Sequence, residues 1–348
     1  MSPYILAILL FSLGLGTTIT FSSTHWLLAW VGLEINTLAM LPLMAQNHHP
    51  RAVEAATKYF LIQASGAAVL LFAGVINAWL TGQWDIHQAA HPLPIAIITL
   101  ALSLKLGLAP LHSWLPEVFQ GLNLTTNLIL ATWQKLAPLA LMLQIQPPHS
   151  SLLIFLGLMS TLVGGWGGLN QTQLRKILAY SSTAQLGWMI LVVQFSPSLT
   201  TLAILVYVIT TSATFLTLKL NKATNINMLA ISWAKAPALM ALTPLVLLSL
   251  AGLPPMTGFM PKWLILQELS KQGLPATATI TALTALLSLY YYLRLTYAMT
   301  LTMFPNNITS TPPWRLPSAQ LTLPLAILAL AAISLLPLTP AAMALVAL

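Results

Sequence analysis

The sequence predicts an all-α polytopic membrane protein of about eleven transmembrane helices, and three observations predict it. Of its 348 residues, 57% are hydrophobic and only 5% charged, whereas a soluble domain carries about 25% charged residues. Apolar runs of about 20 residues recur from end to end, each long enough to cross a hydrocarbon core of roughly 30 Å. The connections are short and rich in Pro, Asn, Gly or Ser, as in SPSLT at 196–200. No stretch remains for a soluble nucleotide-binding or catalytic domain.

The first span covers 3–21; its start, MSPYILAILLF, has no basic segment or small-residue cleavage site and reads as a membrane helix rather than a removable signal. Spans over 24–45 and 54–80 follow. The fourth, 94–121, is long and broken by GLAP at 107–110 and then Pro116; 124–146 is the fifth. Spans over 150–171, 176–195 and 198–221 are uninterrupted. The ninth, 237–271, is broken by LAGLPPMTGFMP at 250–261, and 275–302 and 322–346 complete the set.

An interior proline removes a backbone hydrogen bond and costs about 3 kcal/mol. Freed backbone groups at membrane depth are tolerated only where they face protein or water. Both breaks share the pattern Gly-Leu-x-Pro, in Gly107 to Pro110 and in Gly252 to Pro255, with Pro254 as a further proline in the second. They fall in the fourth helix of helices 1–5 and the fourth of helices 6–10. Two consecutive five-helix units have opposite orientations, and matched broken helices in inverted repeats point to an ion site. The expected organisation is one membrane domain over 1–348. Within it, 1–146 and 150–302 are the repeats and 322–346 is an added helix. The lysines do not follow the repeat, since Lys105 precedes its break and Lys262 follows its own.

Charge tests the topology. Nine basic residues (Arg51, Lys58, Arg175, Lys176, Lys219, Lys222, Lys235, Arg294 and Arg315) fall with one set of loops and helix ends, and only Lys271 with the other. Basic residues favour the inner side, which puts the N-terminus inside and the C-terminus outside. The net charge of +8 therefore reads as topology rather than nucleic-acid binding. Arg175–Lys176 is either an anchor of this kind or a contact for anionic phospholipid, cardiolipin included. Asn307-Ile308-Thr309 fits the glycosylation pattern but is expected on the inner side, where it goes unused. Cysteine is absent, which excludes thiolate-ligated clusters and disulfides on this chain.

Four ionisable residues are left inside spans: Glu34, Lys105, Lys135 and Lys262. The first three lie about eleven residues from a helix end, roughly 16 Å deep at 1.5 Å per residue, near the bilayer midplane. A central charge costs about 2.5–3.5 kcal/mol even on the lenient insertion scale. A structural Glu34–Lys105 pair would still leave Lys135 and Lys262 without a carboxylate at that depth. A row of titratable groups reads as a proton relay. His112, at the first break, is open to two readings: a member of that relay or a satisfied hydrogen-bonding group. His25, His48, His49, His87, His91 and His149 sit at helix ends and loops, which disfavours haem. Glu54 and Lys58 are a local i,i+4 pair. Ser181, Ser182, Gln185, Thr210, Thr211 and Gln134 either line water wires or bond helix to helix.

The stretches LKLGLAPLHSWLPEV (104–118), SLAGLPPMTGFMPKW (249–263) and HWLLAWVGLEINTLAMLPLM (25–44) resemble the antiporter-like subunits of respiratory complex I. The likeness covers essentially the whole chain. It implies two inverted five-helix repeats, with Glu34 and Lys105 as a controlling pair, Lys135 as the central lysine and Lys262 as the terminal one. Some relatives carry glutamate at that last position. The resemblance further implies a place in the mitochondrial inner membrane, with the N-terminus on the matrix side and the C-terminus facing the intermembrane space. The other membrane-arm and accessory subunits would be its partners. NADH, FMN, iron–sulfur clusters and ubiquinone would be bound by other subunits, with no cofactor or metal on this chain. A free-standing cation/proton antiporter is the alternative.

Overall fold

The computed structural model describes residues 2–46, 49–88, 91–145, 150–232, 237–301 and 322–347. Lys235, Arg315 and Asn307-Ile308-Thr309, which enter the charge and glycosylation readings, lie outside the described residues. The chain forms two compact helical units, Met1–Ser160 and Thr161–Leu348. Their boundary falls within the sixth span rather than in the loop before it.

The first unit holds α1 (Pro3–Ser22), α2 (Trp26–Met44), α3 (Pro50–Thr81), α4 (Pro92–Leu106), α5 (Trp114–Gly121), α6 (Leu124–Ile145) and the start of α7 (Ser150–Gly168). The second holds the rest of α7, then α8 (Leu174–Val192), α9 (Pro197–Asn221), α10 (Ile226–Ile231), α11 (Pro237–Ala251) and α12 (Phe259–Lys271). It ends with α13 (Pro275–Thr300), α14 (Leu323–Ser334) and α15 (Thr339–Ala347). Among the described residues, seven helices (α1, α2, α3, α6, α7, α9 and α13) are each long and apolar enough to cross a membrane alone. The fourth and ninth expected spans are the broken pairs α4–α5 and α11–α12.

Local chemistry sets the helix starts. Proline opens α1, α3, α4, α9 and α13, where its missing N–H costs nothing. The ring nitrogens Nδ1 of His25 and His49 accept from the backbone N–H groups of Leu27 (3.2 Å) and Arg51 (3.3 Å), so these histidines cap α2 and α3. α1 and α2 approach closely at Gly16 and Gly32, where a Cβ on either would come within 2.9 Å of the other's carbonyl oxygen. Small residues at a membrane helix crossing allow such an approach.

The span expected over 322–346 is bent rather than straight. α14 and α15 meet at 70° across a 3-10 turn at Leu336–Leu338. Pro337 and Pro340 cannot donate to the preceding turn, so the helix ends and restarts. α14 is held by a hydrogen bond from the buried Thr257 hydroxyl, within the second break, to the carbonyl of Ala332. Thr257→Val keeps the shape and orphans that carbonyl, at a cost of about 1–3 kcal/mol. The expected result is faster thermal inactivation of the assembled protein, followed as loss of activity at a fixed elevated temperature.

Candidate functional site: two broken helices and their lysines

In each broken helix, glycine makes the turn. Gly107 and Gly252 take φ of 77° and 81°, a left-handed conformation that side chains disfavour. The bonds Ala109–Pro110 and Pro254–Pro255, each ending three residues past its glycine, are both cis. The last four carbonyls of a helix have no partner inside it, and the two breaks satisfy theirs in parallel. Gly107 N–H donates to the carbonyls of Ser103 (3.0 Å) and Leu104 (3.2 Å), as Gly252 N–H does to Leu248 (3.1 Å) and Ser249 (3.0 Å). The next carbonyl takes a glutamine amide in both cases. Gln63 Nε2 on α3 donates to Lys105 O (3.3 Å), and Gln185 Nε2 on α8 donates to Leu250 O (3.0 Å). Trp114 Nε1, at the head of α5, donates back to Leu104 O (3.2 Å) and stitches the two halves together.

In the first unit, Lys105 occupies the last turn of α4, where its charge complements the helix dipole. It is 6% exposed, and its Nζ has no hydrogen-bond partner among the described residues. Lys135, on α6, is 4% exposed. The two lysines line one cavity of about 270 Å³ together with Tyr59, Gln63, Trp114 and Gln134. Glu34 is half-buried on α2 and accepts from the Thr37 hydroxyl at 3.0 Å. It forms no ion pair with Lys105. Gln134, beside Lys135, donates to Asn36 O (3.3 Å), two residues from Glu34. The Asn36 side-chain amide is buried without a partner. His112 lies in the break itself, half-buried, and does not line the cavity.

In the second unit, the sequence departure at the lysines closes in space. Lys262 lies ten positions past Gly252, yet its Nζ returns to donate to Ala251 O (2.6 Å) at the end of α11. Both ammonium-bearing side chains therefore attend the C-terminal end of a first half-helix. Gly252 leaves the room for this, since a Cβ there would sit 2.9 Å from Lys262 Cδ and Nζ. Lys262 also lies 6.0 Å from the Trp188 ring centroid, within range of a cation–π attraction. A cavity of about 350 Å³ joins it to Gln185, Tyr207 and Thr210. On another side, an apolar cavity of about 770 Å³ is lined by Phe259, Trp263 and Leu286.

Residues 23–288 match the family model described as NADH:quinone oxidoreductase/Mrp antiporter, TM. The chain belongs to this antiporter-like family. Its residues 289–343 match a second model, NADH dehydrogenase subunit 2 C-terminus. NADH-ubiquinone oxidoreductase chain 2 of Salmo salar is 68% identical over 342 residues, covering 98% of each chain. The same chain of Oncorhynchus mykiss is 67% identical over 349 residues, covering both completely. Respiratory complex I from Thermus thermophilus with bound aureothin contains a chain of TM-score 0.88 and 28% identity, covering 99% of this chain and 80% of that one.

Three features of this antiporter-family site escape sequence reasoning. Lys58 pairs with Glu54 (2.8 Å) as its spacing suggests, but also with Glu117 (2.8 Å) on α5, so one lysine clamps the second half of the broken helix to α3. Gln63 on the Lys105 carbonyl is the second. The third is a group of buried tyrosines, Tyr207, Tyr291 and Tyr292. A Tyr-Tyr-Tyr run at 290–292 inside an apolar helix was the available signal.

Proposed function

We propose that this chain is an antiporter-like membrane subunit of respiratory NADH:ubiquinone oxidoreductase, and that it moves protons through Glu34, Lys105, Lys135 and Lys262. The observation that carries the reading is the small cavity at the first break, which two buried lysines line together. Broken helices bring helix ends and polar side chains to mid-membrane depth without exposing backbone to lipid. The Glu34 carboxylate on α2 is the acidic member of the relay and Lys105 the first basic one. A signal that moves Glu34 away lets Lys105 pass its proton to Lys135 through the cavity. Lys262 holds the corresponding position in the second unit, and His112 stands at the break as a further exchange group.

NADH oxidation and quinone reduction, with FMN and iron–sulfur clusters, belong on this reading to other subunits, which are its partners. The excess of basic residues on one side supports an N-terminus in the matrix and a C-terminus in the intermembrane space. Arg175 and Lys176 then face anionic phospholipid on the matrix side.

Lys135→Ala in the assembled complex tests the reading. Proton translocation per NADH oxidised is expected to fall while assembly persists. An unchanged ratio would sink the relay, and an isolated chain that exchanged sodium or potassium for protons in liposomes would favour the free-standing antiporter.

A further inference from the structure

Unit 2 places Lys262 among α8, α9, α11 and α13, and among the described residues those helices carry no other acidic or basic side chain at its depth. Their charges are Arg175 and Lys176 at the start of α8, Lys219 near the end of α9 and Arg294 near the end of α13. All four mark one end of the unit, which the backbone ties together: Leu174 N–H donates to Thr224 O and Arg294 Nη1 to Leu169 O. Between that basic end and Lys262 the buried polar groups are hydroxyls.

They rise in order. Tyr291 packs on Gly168 at the last turn of α7, next to the carbonyl that Arg294 holds. Its ring lies 4.5 Å from that of Tyr292, and each tyrosine is 1% exposed. The Tyr292 hydroxyl faces Ser181, and the Tyr207 hydroxyl faces Ser182. Tyr207 lines the same cavity as Gln185 and Lys262. At 1.5 Å per residue, Ser181, Ser182 and Gln185 lie about 10, 12 and 16 Å above the start of α8. Ser181 and Ser182 give their protons to Leu178 O (2.8 Å) and Ala179 O (2.7 Å) of their own helix, which leaves their oxygens free to accept.

The tyrosines are the telling members. Neither the Tyr291 nor the Tyr292 hydroxyl closes a well-aligned hydrogen bond among the described residues. A buried hydroxyl needs a polar neighbour, and the ones these two face are each other and Ser181.

We propose that the hydroxyls of Tyr291, Tyr292, Ser181, Ser182 and Tyr207 form, with intervening water, the proton-access path from the basic end of unit 2 to Lys262. Each step is a balanced hop. Each hydroxyl proton first turns toward the next acceptor, away from its helix carbonyl in the case of Ser181 and Ser182; the oxygen then accepts a proton on a lone pair as its own leaves on the far side, and rotation back restores the start. No residue along the path changes net charge, and the proton is held only on reaching the Lys262 amine. Gln185 closes the path, because its amide binds the carbonyl next to the one Lys262 uses.

The proposal rests on Lys262 belonging to the relay, and the test separates the two. In the assembled complex in sealed membranes, Tyr291→Phe/Tyr292→Phe is expected to lower proton translocation per NADH oxidised. It should also reduce the solvent deuterium effect on turnover, a readout that a packing role would not move. The proton flux is expected to fall by about a hundredfold, the low end of what loss of one positioned proton-transfer group costs. Should the double variant fail to assemble, Ser182→Ala with Tyr207→Phe interrupts the path at its next step, with the same expectation. If Lys262→Ala lowers pumping and both hydroxyl variants leave it unchanged, the access path is wrong and the relay stands. If Lys262→Ala itself changes nothing, the relay reading and the path fall together.

Discussion

Gly252→Ala is expected to disable the second broken helix, abolishing proton pumping and lowering the amount of assembled complex. Two effects act at once. The backbone at φ of 81° disfavours any side chain, at about 1–2 kcal/mol for an L-residue in the left-handed region. The added Cβ would also lie 2.9 Å from both Cδ and Nζ of Lys262, and 3.1 Å from Gly258 O. Lys262 must then leave Ala251 O, which loses its partner at a helix end buried in the protein. Gly107→Ala is a useful control, because it has the same backbone penalty but meets Leu115 Cδ1 instead of a lysine. Pumping measured at equal amounts of assembled complex separates the two costs. Gly252→Ala should remain defective per assembled molecule, since it moves the amine. If Gly252→Ala pumped normally per assembled molecule, the placement of Lys262 at the α11 end would not matter to function.

What was legible in the sequence follows from how local each feature is. Gly-Leu-x-Pro is a contiguous signal, so both breaks could be read directly, as could the row of mid-span charges. The bend in the last span went unread although Pro337 and Pro340 stood in plain view: average hydropathy over a window outweighed two prolines near its end. The partners of the site were hidden for a different reason. Glu117 and Lys58 are 59 residues apart, and Gln63 and the Lys105 carbonyl 42 apart. Each pair meets only because α3 packs against α4 and α5, and no periodicity within one helix encodes that. The apparent mismatch between Lys105 and Lys262 has a similar origin. Sequence position records where a Cα lies, whereas Lys262 spans the break with its side chain and delivers its amine to the α11 end. The controlling pair that the resemblance implies for Glu34 and Lys105 is a different case: the Thr37 hydroxyl donates to the carboxylate, and the two side chains form no direct ion pair.

Lys105→Arg separates charge from proton exchange, and its expected result is a complex that assembles, binds its partners and does not pump. Arginine keeps the positive charge at the α4 end, where the dipole welcomes it, beside the cavity that Lys105 lines. What it removes is the ability to give up a proton, since guanidinium stays charged throughout the accessible pH range. Lys105→Met does the opposite, keeping the volume and removing both charge and proton. If Lys105 merely balances Glu34 electrostatically, arginine should rescue what methionine loses. If Lys105 is a relay member, the two variants should be equally defective in protons moved per NADH, although arginine alone preserves the field that Glu34 experiences. The absence of a direct Glu34–Lys105 hydrogen bond sharpens the comparison. Arginine has no bidentate contact to inherit or to lose, so a rescue would report charge alone. Normal pumping by Lys105→Arg would therefore rule out proton release from this position, whatever the methionine variant did.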